Sequence, residues 1–414
     1  MYIFMLLREF LDDIKKQKTR AFLTTIAITW GTLAVILLMA FGDGLAFRMQ
    51  QSLLNAGDKI IRIYGGQTTK KFKGLPIGRG VNLVEEDAHI LLESIPEIVA
   101  VNAQLGKWVR LRNGDRSAST FMEGVYPEFE FLRRTYPAAG GRFLNQKDLV
   151  EKKRVVFLGG EMAKQLFGTE DPIGKMITID GTPFTVIGTM PKKMQTSMNN
   201  GPDDERAIIP FSTFQSMHGW RYLHELIVKP RNPEDSEQVK AEVMRIMGKK
   251  YQFDPTDENA LPMWDFIEQE KIGGKVFKGI NIFLGVIGTM TLLIAGVGVA
   301  NIMYVVAKER TQEIGIKRAI GAKKRHIIFQ FIFESLLLAG IGGALGFFIS
   351  MSIIKMVWMM PAGNGAMQFL GRPLLSQTVV VTSILILTLI GLLAGLFPAR
   401  KAANVDPVEA LRYE

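Results

Sequence analysis

Four stretches of this chain carry no charged residue over a length that crosses a lipid bilayer. They run from Ala21 to Gly42, Gly279 to Ala307, Ser335 to Ile354 and Pro373 to Ala399, and contain 22, 29, 20 and 27 residues. A helix rises about 1.5 Å per residue, so roughly 20 apolar residues span a hydrocarbon core. One such run could be a buried helix of a soluble protein, but four together predict membrane helices. Their spacing is uneven: 236 residues, Asp43 to Lys278, separate the first run from the second, and the last three follow closely. The predicted fold is therefore a membrane α-helical protein with four transmembrane helices in a 1+3 arrangement and a large extracytoplasmic α+β domain of two lobes.

The expected boundaries are a cytoplasmic amphipathic helix (1–20), a first span (21–42), the large domain (43–278), a second span (279–307) and a cytoplasmic loop (308–326). A third span (327–357), a short outer loop (358–376), a fourth span (377–397) and a cytoplasmic tail (398–414) complete the chain. In residues 3–14, Ile3, Leu7, Phe10, Leu11 and Ile14 fall at helical spacing opposite Arg8, Glu9, Asp12, Asp13 and Lys15, the pattern of an interfacial helix. A cleaved signal peptide is the competing reading. Ala40 and Gly42 give a small-x-small site, but the apolar run is longer than a signal core needs.

Orientation follows from the basic residues. Residues 1–20, 307–326 and 398–414 hold 5, 7 and 3 Lys/Arg, 15 in all against 8 Asp/Glu, whereas the opposing loop from Pro361 to Ser376 has only Arg372. Both termini and the 307–326 loop are expected to be cytoplasmic, and the large domain periplasmic or extracellular, in a multi-pass protein of the cytoplasmic (inner) membrane. Residues 43–278 are nearly balanced, 33 basic against 31 acidic, so the net charge of +10 comes mostly from the cytoplasmic edges. No basic face of a nucleic-acid-binding domain is evident, and nucleic acid is not an expected partner. The absence of Cys removes disulfides, thiol catalysis, Cys-ligated zinc and a lipoprotein anchor.

Lys308 to Ser335, KERTQEIGIKRAIGAKKRHIIFQFIFES, places dense charge between two membrane runs and must lie in water. A short helix is predicted, with Ile316 and Ile320 on one face and Gly315 and Gly321 as punctuation. The residues alone leave two roles open, a helix that docks another protein or an amphipathic helix resting on lipid.

That segment precedes a Gly-rich run, and the tail carries Pro398-Ala399-Arg400-Lys401-Ala402-Ala403 and Asp406-Pro407-Val408-Glu409-Ala410-Leu411-Arg412. Together these resemble the MacB/FtsX-like permeases, the membrane subunits of a class of ABC transporter. GRFLN, VVFLGGEMAKQLFG, DPIGKMITIDG and PFTVIGTM look like the extracytoplasmic core of the MacB branch. The resemblance covers most of the chain and is strongest at 308–345 and 395–412.

It implies that a separate ABC ATPase subunit grips the loop through Glu309, Arg310, Glu313, Gly315, Lys317 and Arg318. Ile314, Ile316 and Ile320 would supply apolar contact, and Gly321 would close the helix. ATP and Mg would bind to that partner, with no cofactor or metal on this chain. A second permease copy, as homodimer or paralogue, would complete the assembly among membrane lipids. In a Gram-negative envelope a periplasmic adaptor and an outer-membrane channel would join it. The implied function is mechanotransmission, in which ATP-driven motion moves the outer domain to export or extract amphiphilic or peptide-like substrates. MacB itself carries its ATPase ahead of the first span. Here about 20 residues precede that span and no Walker motif occurs, so the ATPase is expected on another chain. Relatives also include FtsX-like regulators of cell-wall hydrolases, which makes a regulatory or signalling subunit the alternative.

Other motifs argue against an enzyme. Gly168 to Met176 mimics a phosphate-binding loop, but it has five residues between the glycines and Met in place of Ser/Thr. His218 and His224, beside Trp220 and Glu225, lack a third metal ligand at a convincing spacing. The carboxylates of 43–278 are interspersed with Lys and Arg, as on a solvated surface. Gly342 with Gly346, and Gly391 with Gly395, have small-xxx-small spacing, which serves either packing within one chain or a dimer seam. Glu334, near the end of the third span, is expected to face the interface or pair with a basic residue, with a proton or substrate path as the minor reading. No span carries a row of ionisable residues.

Within the large domain, Asn113-Gly114 and Asp180-Gly181 signal two hairpins. Helices are expected at 85–95, 160–167, 212–218 and 234–248, and Lys70 to Gly80 as a flexible loop.

Overall fold

The computed structural model describes residues 8–10, 15, 18–193, 201–360 and 371–404. Most of the expected 3–14 helix, part of the 358–376 loop and the 406–412 motif lie outside them; Arg8, Glu9 and Phe10 are helical. The chain opens with α1 (Lys18–Ala56), β1 (Ile61–Ile63), α2 (Glu85–Ser94), the long strand β2 (Ile98–Asn113) and β3 (Arg116–Val125). The short helices α3 (Phe129–Leu132) and α4 (Gln146–Val150) lead to β4 (Val155–Leu158), α5 (Gly160–Phe167), β5 (Met176–Ile179) and β6 (Thr182–Thr189). Next come β7 (Ala207–Pro210), α6 (Phe211–His218), β8 (Glu225–Pro230), α7 (Ser236–Tyr251) and β9 (Met263–Asp265). Among the described residues four helices follow: α8 (Phe266–Glu309), α9 (Thr311–Ala319), α10 (Lys324–Met359) and α11 (Gln377–Ala403). These elements form two compact units, residues 49–274 and the remainder.

The large unit is built around β2. From Ile98 to Gln104 it pairs with β8, and β8, β1 and β9 continue an antiparallel sheet. From Leu105 onward it pairs with β3 instead, and β3, β7, β4, β6 and β5 return to β2, closing a six-stranded ring. Closure removes edge strands from that half. The two expected lobes are therefore two sheets sharing one strand; one hydrophobic cluster, from Ile61 and Leu226 to Val156 and Phe184, spans both, and a second runs from Ile60 and Ile227 to Phe157 and Ile208.

Turn chemistry sets the two hairpins. Asp180 and Gly181 both have positive φ (45° and 84°) between paired Ile179 and Thr182, the signature of a type I′ turn. In the other hairpin Asn113 pairs with Arg116, so the turn is Gly114-Asp115 and not Asn113-Gly114. Only Gly114 has positive φ there (59°), as a II′ turn requires at its first central residue. The segment 70–80, expected to be loose, is held. Buried Asp257 accepts from the Thr69 backbone N–H and hydroxyl (both 2.6 Å) and from the Lys70 N–H (2.9 Å). The Arg79 guanidinium donates to the carbonyls of Tyr251 and Gln252.

In the membrane unit, α1, α8, α10 and α11 are long and apolar enough to cross a bilayer. Each extends past its charge-free run, because helical hydrogen bonding continues wherever the chain allows, whatever the bilayer thickness. Packing contacts join α1 to α8 (Gly31 on Leu292, Val35 on Gly288), α8 to α11 (Gly296 on Ile390), α11 to α10 and α10 to α1. Trp30, Phe283, Ile294 and Leu385 stay exposed on the outside, which suits a face solvated by lipid. Toward one end, Asp43 of α1 accepts from Asn281 of α8 (2.9 Å) and from the Ser376 hydroxyl (2.6 Å), and Ser376 caps α11. At the other end lies the loop between α8 and α10.

Candidate functional site

That loop is α9, bounded by two sharp joints. Arg310 alone separates it from α8, with a backbone off the helical region (φ −89°, ψ 11°). At its end the Ala322 N–H reaches the Lys317 carbonyl (2.9 Å) and the Gly321 N–H that of Arg318 (3.1 Å), with Gly321 at φ +99°. This is a Schellman closure, which needs a residue without Cβ at that position. Gly315, expected to punctuate, lies inside the helix and is buried.

The helix is two-sided. Ile314 and Gly315 face the membrane bundle, where Ile314 joins the core of Val306, Ile327, Phe331 and Ala399. Gln312, Glu313, Ile316, Ala319, Ile320 and Lys323 face out, a stripe at three- and four-residue steps. Ile320 is 82% exposed and Ile316 48%. The predicted contact set therefore divides. Glu313, Ile316 and Ile320 lie on the open face; Ile314 and Gly315 do not.

The remaining members make ties inside the unit. Arg310 donates to Glu334 of α10 (3.1 Å), and both side chains are largely buried. Lys317 donates to Glu9 and to Gln330 (each 3.4 Å), and Gln330 donates to Glu9 (3.0 Å) and Glu334 (3.2 Å). Arg318 donates to the Ala403 carbonyl at the end of α11 (3.2 Å), where a cation also meets the negative end of the helix dipole. Glu309 pairs with Arg20 of α1 at 2.6 Å, on the surface. The array ties α9 to α10 and α11 directly, and through the Arg310 joint to α8, whose last residue Glu309 reaches α1.

The four membrane glycines are used within one chain. A Cβ on Gly342 would lie 2.8 Å from Ile28, and one on Gly346 2.7 Å from the Thr29 carbonyl, both on α1. One on Gly391 would lie 2.9 Å from Ala339, and Gly395 sits over Ser335, both on α10. Hydroxyls reinforce these crossings: Thr29 donates to the Gly342 carbonyl (3.1 Å) and Ser335 to that of Gly391 (2.9 Å).

Other sequence candidates take structural roles. Gly168 and Gly174 are turn residues with positive φ, and strand β5, not a helix, follows them, so no helix N-terminus faces a phosphate there. His224 packs against Phe121 and Tyr64, and His218 against Phe214 and Trp220. Among the described residues, Glu237, Asp265 and Glu268 converge as a metal site would, but Lys240 sits among them at 2.6, 3.3 and 3.3 Å. An ammonium already occupies the position between the carboxylates.

The carboxylates of this domain are not all solvated, contrary to expectation. Arg62 and Glu225 form a bidentate pair (2.6 Å twice) with side chains 3% and 0% exposed. Asp203 takes Arg133 (2.8 Å), Lys193 (2.9 Å) and Arg206 (3.6 Å), and Arg206 also pairs with Glu123. Burial alone would raise the Glu225 and Asp203 carboxyls, but the surrounding cations hold both below the usual range. Composition cannot show this. In a strand, adjacent residues face opposite sides, and only the sheet pairing tells which side is interior.

Comparison with known proteins bears on the site as a whole. The profile of the MacB-like periplasmic core domain matches residues 21–246, and that of the FtsX-like permease C-terminal region matches 285–407. The chain belongs to the MacB/FtsX-like permease family. Within that family it is 32% identical over 417 residues to the macrolide export ATP-binding/permease protein MacB of Chlorobium phaeobacteroides, covering 97% of this chain and 60% of that one. It is 28% identical over 412 residues to the ABC transporter permease YknZ of Bacillus subtilis, covering 99% and 98%. The chain spans about three-fifths of the length of the MacB relatives. Among solved structures it is similar to the periplasmic region of MacB from Actinobacillus actinomycetemcomitans, at 17% identity and a TM-score of 0.43 over 54% of this chain and 95% of that one. α9 and the joints around it fall within the FtsX-like match.

Proposed function

We propose that this permease couples ATP hydrolysis on a separate ABC ATPase chain to movement of its large domain, and so exports or extracts amphiphilic or peptide-like substrates. The observation that carries this reading is the open face of α9, where Glu313, Ile316 and Ile320 stand exposed on a helix continuous with α8 through Arg310 and tied to α10 and α11. An exposed apolar pair rimmed by charge on a rigid support suits a protein partner. The ATPase would hold ATP and Mg. The excess of Lys and Arg at the ends supports an orientation with α9 and both termini in the cytoplasm and the large domain outside, in the inner membrane. A second permease copy would give the partner two such faces, and an adaptor and outer-membrane channel would extend the path in a Gram-negative envelope. Full-length alignment with a permease that stands as its own chain, and names of export proteins among the relatives, support the reading.

The test is reconstitution of the purified chain with its ABC ATPase, comparing wild type with a Glu313→Lys, Ile316→Glu, Ile320→Glu variant. These positions are exposed, so folding is spared. Loss of co-elution and of permease-dependent ATP hydrolysis is the expected result. Unchanged co-elution would remove the docking face. Coupling without substrate movement, together with altered cell-wall hydrolysis on deletion, would favour the FtsX-like regulatory alternative.

A further inference from the structure

We infer that the buried Arg310–Glu334 pair is the joint through which displacement of α9 reaches the third membrane helix as well as the second. This rests on the proposal that an ATPase docks on α9.

Arg310 is the one residue between α8 and α9, and the bend there leaves both hydrogen-bond ladders engaged. Its N–H donates back to Val306 (3.0 Å), and its carbonyl accepts from Ile314 (3.0 Å). Tilting α9 therefore moves the end of α8 directly. The Arg310 side chain leaves this bend for Glu334 on α10, at 3.1 and 3.4 Å from its two oxygens. Gln330, one turn before Glu334, binds the same carboxylate and connects it to Lys317 of α9. α10 is thus gripped from the start and the last turn of α9.

The other ionic ties are of a different kind. Arg20–Glu309 and Lys317–Glu9 have both partners about a third or more exposed, so water and salt screen them. The side chains of Arg310 and Glu334 are 13% and 7% exposed, and separating them would leave a charge stranded in the bundle. Beside the pair is a cavity of about 50 Å³ lined by Phe10, Thr24, Met303, Val306 and Leu338. Close packing does not hold the joint on that side. The charges do, and the side chains have room to shift without parting. Beyond Glu334, α10 meets α1 at Gly342 and Gly346, so motion given to α10 is passed to the first membrane helix by direct backbone contact. Glu334 is a positioning residue in this scheme, not a proton carrier.

The chain has no Cys, so a protein with Ile320→Cys and Ile341→Cys labels only at α9 and α10. Spin-label distances in lipid nanodiscs are expected to be narrowly distributed in that background and broad when Glu334→Gln is added. They should narrow again with the exchanged pair Arg310→Glu, Glu334→Arg. With the ATPase present, Glu334→Gln should still co-elute, while permease-stimulated ATP hydrolysis falls about tenfold, as loss of a typical coupling energy gives; the exchanged pair should recover part of it. Unchanged distances and stimulation in Glu334→Gln would overturn the inference. If the single variants fail to insert, the exchanged pair decides: recovery supports the joint, and equal failure overturns it. Should wild type itself fail to couple to an ATPase, the proposed function falls, while the distance measurement still judges the pair.

Discussion

Arg62 and Glu225 show what single residues contribute to the large domain. With both side chains nearly inaccessible, removing one charge strands the other. Glu225→Gln is expected to cost about 3–5 kcal/mol, and Arg62→Met with Glu225→Leu clearly less, because an apolar pair of similar size has no desolvation penalty. Denaturant unfolding of the full chain in detergent, followed by hydrogen exchange at β8, checks the order. His224 adds a pH dependence. Burial pushes its imidazole below the ordinary value, against the opposing pull of Glu225 and Glu123. The unfolded chain then binds a proton at about pH 6.5 that the folded chain refuses. Stability should be complete above that pH, fall as pH drops through the window beneath it, and level off once the folded imidazole protonates. His224→Phe should flatten that part of the profile. Asp203, held low by Arg133, Lys193 and Arg206 against its own burial, adds a second loss that starts only below about pH 4.

Among the elements, the glycine contacts of α10 separate packing from propensity. Gly342→Val or Gly346→Val forces a side chain into the backbone of α1 and is expected to destabilise by about 1–3 kcal/mol. Gly340→Ala has open space around it and should be neutral or stabilising by about 0.5–1 kcal/mol, since alanine favours the helix. Thermal unfolding of the three variants in one detergent gives the ranking. Gly321 belongs to a different class. A valine there must adopt φ +99°, and the expected result is fraying of the last turn of α9, seen as faster amide exchange at position 321 and at Ala322 with the membrane helices unaffected. The spacing of these glycines was legible as a close-approach signal, but not which helix each one meets. Hairpins were legible through Asn, Asp and Gly, yet one turn lies a residue later than its dipeptide suggests, because strand register and not local propensity set it.

For the whole molecule, topology is the quantity to measure. The Cys-free chain allows Ile320→Cys on α9 and Met176→Cys on β5, both well exposed, to be labelled by a membrane-impermeant maleimide. In intact cells or right-side-out vesicles of the inner membrane, Met176→Cys should react and Ile320→Cys should not until the membrane is opened; the reverse pattern would invert the orientation. By itself the sequence determined the membrane character, the four helices and the large α+β insertion, because bilayer thickness and charge act on composition along the chain without regard to folding. It also marked α9 as the place to look. Only the tertiary structure decided that Arg310 and Ile314 turn inward while Ile316 and Ile320 stay out. It likewise decided that Glu334 has a partner and that ion pairs are buried inside the large domain. Those outcomes depend on which faces meet across hundreds of residues of chain, and a charged side chain reads the same in sequence whether its counter-ion is water or a buried arginine.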